Sequence, residues 1–122
     1  MLLAASAGAC ADEAACDKIQ AANRKTFDST NAMAMQTSGY DFSKDTPKLY
    51  ALGTQTCSHL RDESLNGEPA EVYSEQYKSN AGQTDATIWI SKTTGRTLRE
   101  EQDGEIAGKG KGHISYRWNA QP

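Results

Sequence analysis

The chain has 122 residues, 37% of them hydrophobic, and a formal net charge of −3 from 13 basic and 16 acidic side chains. That length is one domain's worth of polypeptide with room for a modest core. The mean hydropathy of −0.72 describes a polar globule that still carries too many apolar and aromatic residues to stay disordered. The charges are spread along the whole chain without a basic stripe, so nucleic acid is not an expected partner, and no run of 18 apolar residues follows the N-terminus, so no membrane-spanning helix is expected.

Residues 1–11 (MLLAASAGACA) are small and apolar and stop at Asp12-Glu13. They resemble the latter half of a secretory signal, ending in a small-x-small site at Ala9-Cys10-Ala11, without the basic segment expected ahead of it. The chain thus divides into a signal remnant, residues 1–11, and one helix-plus-antiparallel-sheet domain, residues 12–122. Two alternatives stand beside this. Ala7-Gly8-Ala9-Cys10 loosely resembles a lipobox, which would make Cys10 a lipid anchor; or the segment is the frayed helical start of a cytosolic protein. Three cysteines are an odd number for an exported chain. Removal or lipidation of Cys10 leaves Cys16 and Cys57 as a pair, and a disulfide between them closes a loop of about 40 residues, worth about 4 kcal/mol in the chain-entropy picture. Such a bond places the protein in an oxidising compartment, here expected to be the periplasm.

Residues 12–28 read as a helix. Ala15, Ile19, Ala22 and Thr26 form one stripe with Cys16 and Phe27 at its edge, and acidic residues at its start and Arg24 and Lys25 at its end complement the helix dipole. A turn is expected at residues 28–31. From there the period becomes two: residues 32–37 (AMAMQT) present Met33 and Met35 to one face. Residues 38–48 read as loop and residues 53–60 as extended. Asn66-Gly67 is a hairpin turn, because both positions of a type I′ turn need positive φ. Residues 70–78 and 84–91 are strands, the second with Ile88 and Ile90 on one side and Trp89 on the other. Residues 92–95 turn into a strand over 96–102, with Leu98 as its apolar, core-facing residue, and residues 104–112 form a Gly/Lys loop. Residues 113–118 close the sheet with Ile114, Tyr116 and Trp118 on one side. One helix followed by five or six hairpin-linked strands, with no helices between strands, gives an α+β fold with an antiparallel sheet, one face of which covers the helix.

Chemistry-bearing patterns are sparse. Residues 108–112 (GKGKG) lack the following helix a phosphate cradle needs and read as a solvated hairpin. His59 and His113 are the two histidines; with Cys57, Asp62 or Glu63 a zinc site can be sketched, but no ligand pair has standard close spacing and Cys57 is better spent in the disulfide, so no metal and no cofactor are expected. No nucleophile motif occurs either, so no enzyme activity is expected. The adaptable and aromatic residues Met33, Met35, Tyr73, Trp89, Tyr116 and Trp118 are the candidate ligand contacts, able to hold an acyl chain or to pack as core.

Cys57 to Tyr73, with its Asn66-Gly67 turn leading to Val72-Tyr73, resembles a strand–turn–strand of LolA-like periplasmic proteins. Residues 89–100 (WISKTTGRTLRE) resemble their next hairpin, although Arg96-Thr97 stands where Gly-Leu-Pro would continue, and residues 113–122 resemble the closing strand of small bacterial members. The resemblance implies an incomplete β-barrel, a curved antiparallel sheet with the N-terminal helix packed in its hollow. Its function would be non-enzymatic, with a small apolar or lipid-like ligand held between helix and sheet. The alternative it implies is an envelope protein–protein interaction module without a ligand. Only about twenty residues separate Met33/Met35 from Cys57, where relatives carry further strands, so the hollow is expected to be shallow.

Overall fold

A computed structural model describes residues 12–27 and 33–118. The signal remnant, Cys10, the turn at residues 28–31 and the last four residues lie outside the described residues.

Helix α1, Glu13–Phe27, begins on Asp12, whose carboxylate accepts a hydrogen bond from the Ala15 amide at 3.1 Å and so acts as its N-cap. The expected stripe is the buried one: Ala15, Ile19, Ala22 and Thr26 are 2%, 0%, 1% and 3% exposed. Six strands follow: β1 Met33–Gly39, β2 Thr54–Leu65, β3 Glu68–Ser79, β4 Gly82–Ser91, β5 Thr97–Ile106 and β6 Gly110–Trp118. They form one antiparallel sheet in the order β1-β6-β5-β4-β3-β2, with β1 and β2 as its two edges, so the sheet is not closed. The last five strands are a simple meander; β1 leaves the helix and pairs with the end of the chain, Met33 opposite Trp118 and Gly39 opposite Gly112.

Residues directly opposite each other in such a ladder share a face, so the register assigns every side chain. α1 lies over β2 to β5, and its stripe meets Cys57, Tyr73, Ala86, Ile88 and Ile90. Thr26 near its end accepts a hydrogen bond from the Thr97 amide at 2.8 Å, which ties α1 to the start of β5.

Four expectations change. Residues 38–48 are not all loop: a second helix, α2, Thr46–Leu52, starts with Pro47 in its first turn, a position that suits a residue without an amide proton. Its Leu49 packs with Phe42, Ile106 and Ile114 on the same face as α1. β2 runs on to Leu65, well past residue 60. β5 and β6 extend into the expected Gly/Lys loop and leave a short turn between Ile106 and Gly110. Leu98 faces away from α1, because the register slips between Trp89 and Ile90 against β5. This bulge turns Leu98 onto the opposite face, where it packs with Ala70, Val72 and Trp89. The Asn66-Gly67 turn is as expected, with φ of 53° and 86°.

The disulfide forms between Cys16 and Cys57, 41 residues apart in sequence, and joins α1 to edge strand β2. Removing it by paired Cys16→Ala and Cys57→Ala substitution is expected to cost about 4 kcal/mol, read as a lowered urea midpoint at unchanged slope; an unchanged midpoint would refute the clamp. Gly104 lies under Phe42, and a Cβ there would come within 2.7 Å of the ring. Gly104→Ala should therefore lose about 1–3 kcal/mol through overpacking, measured in the same titration.

Candidate functional site

Two rows of side chains cross the helix face. One runs Met35, Tyr116, Glu100, Ile88, Tyr73, His59; the next runs Thr37, Ile114, Gln102, Ala86, Glu75, Cys57. At the β2 and β3 end the rows are filled: Tyr73 is 4% exposed beneath α1, its hydroxyl donates to Glu71 at 3.1 Å, and burial pushes its pKa up to about 12. At the β1 and β6 end they are open. Met33 and Met35 remain 49% and 46% exposed, and beside them the Tyr116 and Trp118 rings stack at 5.8 Å with an interplanar angle of 20°. Tyr116 stands opposite Met35 and Trp118 opposite Met33.

Of the six residues marked in the sequence, the fold thus brings four together on an open surface, Met33, Met35, Tyr116 and Trp118. Tyr73 shares their face but belongs to the packed core under α1. Trp89 is apart from all five on the other face: its indole N–H donates to Glu63 at 2.8 Å, and the Arg99 guanidinium lies 4.9 Å over its ring.

Between the open and the filled halves lies a group that apolar patterning did not mark. Glu100 and Glu75 are 8% and 9% exposed, and Gln102 is 5% exposed. Gln102 Nε2 donates to Glu100 Oε2, while Gln102 Oε1, also buried, has no partner. Glu75 accepts a hydrogen bond from Gln55 Nε2 at 2.7 Å and a second from the Tyr77 hydroxyl. Neither carboxylate has a lysine, arginine or histidine partner among the described ion pairs. Burial pushes the Glu100 pKa up to about 7, with Glu75 adding to the effect, and burial raises that of Glu75. Tyr77 in turn is pushed up to about 12 by burial and by Glu75. Tyr50 of α2 closes this end, its ring centroid 4.4 Å from that of Tyr77. An unmet buried amide oxygen costs about 1–3 kcal/mol, so this is a stretch of protein held in an unfavourable polar state.

The charge pattern of the strands sharpens the contrast. Arg61, Lys78, Arg99, Lys111 and Arg117 are the strand cations, and the register sets all five on the face away from the helices, with Arg99 between Trp89 and Arg117 and Lys111 opposite Glu105. On that outer face His113 lies between Asp103 and Glu101, at 2.8 and 2.7 Å. Its hydrogen bonds to Asp103 and then Glu101 raise its pKa. Glu101 also accepts from Arg99 and Ser115, so this group is internally satisfied.

A third cluster joins His59, Asp62 and Glu71, whose candidate ligand atoms lie within 4.8 Å of one another. His59 and Asp62 are the pair the sequence can sketch; a register slip in β2 between His59 and Arg61 turns these residues three apart onto one face, and Asp62 stands opposite Glu71, which the spacing does not mark. Two ammonium groups already serve its carboxylates, Lys92 on Asp62 at 2.8 Å and Lys18 on Glu71 at 3.4 Å. A metal ion there would have to compete with both.

Comparisons of the chain with known protein families, with curated proteins and with solved structures give no match.

The position of Glu100 carries a pH signature. Its folded-state pKa of about 7 lies above the ordinary 4.5, so the native state holds a proton the unfolded chain has released between those values. The penalty is absent below about pH 4.5, grows as pH rises and is complete above about pH 7. It is on the order of 3 kcal/mol. Glu100→Gln should therefore raise stability at pH 8 and leave it little changed at pH 4, as read from urea midpoints; a variant destabilised at pH 8 would show that the ionised carboxylate is held by partners.

Proposed function

We propose that this protein is a non-enzymatic binding protein of the periplasm that takes a small amphiphilic ligand on the helix face of its sheet, along β1, β6 and β5. One observation carries this reading. Met33 and Met35 stand half exposed beside a stacked Tyr116/Trp118 pair, on the sheet face that elsewhere is sealed by α1 and α2. A contiguous apolar patch of adaptable and aromatic side chains is the usual mark of a binding surface. The Cys16–Cys57 bond is consistent with an oxidising, exported compartment, and the resemblance to LolA-like carriers supports both the address and the class of ligand. The same resemblance implies a small apolar or lipid-like ligand. The buried Glu100 and Gln102 beside the patch favour one with a polar end.

A second reading is an envelope interaction module that adds a partner's strand to a sheet edge. It is favoured by the two free edges, β1 and β2, and by the exposure of all seven β1 residues. Recovery of one stoichiometric partner from an envelope extract would support it over the first.

The neutral apolar dye Nile red tests the first reading. Its emission should rise on binding to the wild-type chain, and Met33→Ser with Met35→Ser should weaken that binding about tenfold, the effect of withdrawing roughly 1.4 kcal/mol of apolar contact. Trp118 fluorescence should respond to the dye in the wild type and fall silent in Trp118→Phe, where Trp89 on the opposite face remains as an internal control. A dye response carried by Trp89 would refute the placement.

A further inference from the structure

We propose that the ligand is an amphiphile with a positively charged amine head: its chain rests on Met33, Met35, Tyr116 and Trp118, and its ammonium is received by Glu100 and the Gln102 carbonyl, with Glu75 across Ala86. This inference rests on the binding reading above and names the chemistry of the ligand.

Three independent features support it. The first is an acceptor left over. Gln102 is 95% buried by its 5% exposure, its Nε2 is committed to Glu100, and its Oε1 has no partner among the described residues. Buried polar atoms in folded proteins are nearly always satisfied, so an orphan oxygen marks a position that a donor fills. The second is sign. Glu75 and Glu100 are buried without ion pairs, and the five strand cations all lie on the far face. A carboxylate or phosphate head placed here would meet two buried acids and no compensating charge, whereas an ammonium meets attraction strengthened by burial. The third is continuity. Glu100 stands directly opposite Tyr116, which stands directly opposite Met35, so the polar end and the apolar patch are successive positions in one row. An alkylammonium supplies the matching shape, with three N–H donors at one end for the carboxylate and amide oxygens, a chain for the methionines, and a charge that the Tyr116 face attracts. The raised pKa of Glu100 fits the same arrangement, because an arriving ammonium lets the carboxyl ionise.

Three eight-carbon probes that differ only in their heads decide the matter: octylamine, 1-octanol and octanoate, titrated at pH 7.5 against the full chain and followed by Trp118 fluorescence. Octylammonium should bind about tenfold or more tightly than octanoate, with octanol between them. Glu100→Gln should bring octylammonium down to the octanol level and leave octanol unchanged. Should circular dichroism show that Glu100→Gln alters the fold, Gln102→Met, which keeps the length and removes the amide, provides the second variant and should narrow the same gap. Octanoate binding as tightly as octylammonium overturns the inference, as does a preference for octylammonium that survives both substitutions. Octanol matching octylammonium also overturns it, yet leaves the binding surface standing. Silence toward all three probes and toward Nile red overturns both.

Discussion

The covalent tie between Cys16 and Cys57 sets the geometry on which the rest of this protein depends. It fixes one end of α1 to edge strand β2, while the hydrogen bond between Thr26 and Thr97 fixes the other end over β5. With both ends held, the Ala15–Ile19–Ala22 stripe seals β2, β3 and β4, and Met33 and Met35 at the β1 edge of the same face remain half exposed. The short helix α2 and Phe42 play the corresponding part at the other end, where Phe42 closes over a glycine because no side chain could stand there.

Much of this was legible in the sequence. The i, i+3/i+4 stripe of α1 gave its buried face residue by residue, Asn66-Gly67 fixed the register of the β2–β3 hairpin, and period two placed Met33 with Met35, Ile88 with Ile90, and Tyr116 with Trp118. The losses have definite physical causes. Strict alternation puts Leu98 on the core side together with Glu100 and Gln102; the bulge beside it reverses the assignment at Leu98 and Thr97 alone. The placement of Gln102 and Glu100 on the helix face was therefore readable from period two, and what hid the polar centre was their polarity. The turn-rich composition of residues 38–48 masks the helix start at Thr46-Pro47, where proline one residue inside is favourable. The joining of Glu71 to His59 and Asp62 depends on a second bulge and has no local signature.

The polar centre also explains why apolar patterning alone misjudged this face. Two carboxyls and an amide in the interior of a small domain are a liability for folding, tolerable only because the apolar clusters on both sides and the disulfide supply the surplus. On the outer face, by contrast, His113, Asp103, Glu101 and Arg99 answer one another. The unequal treatment of the two faces is the physical ground for placing function on the one with unmet valences.

The pairing of β1 with β6 joins the beginning of the sheet to its end. Strands β2 to β6 can zip together through successive short turns, each a local event, but β1 has no docking edge until the final strand exists, and bringing it there closes most of the chain into a loop. The methionine-bearing strand thus depends on the longest-range pairing in the sheet: Met33 meets Trp118 across 85 residues of sequence, while the helix, the meander and the sulfur bridge are joined without it.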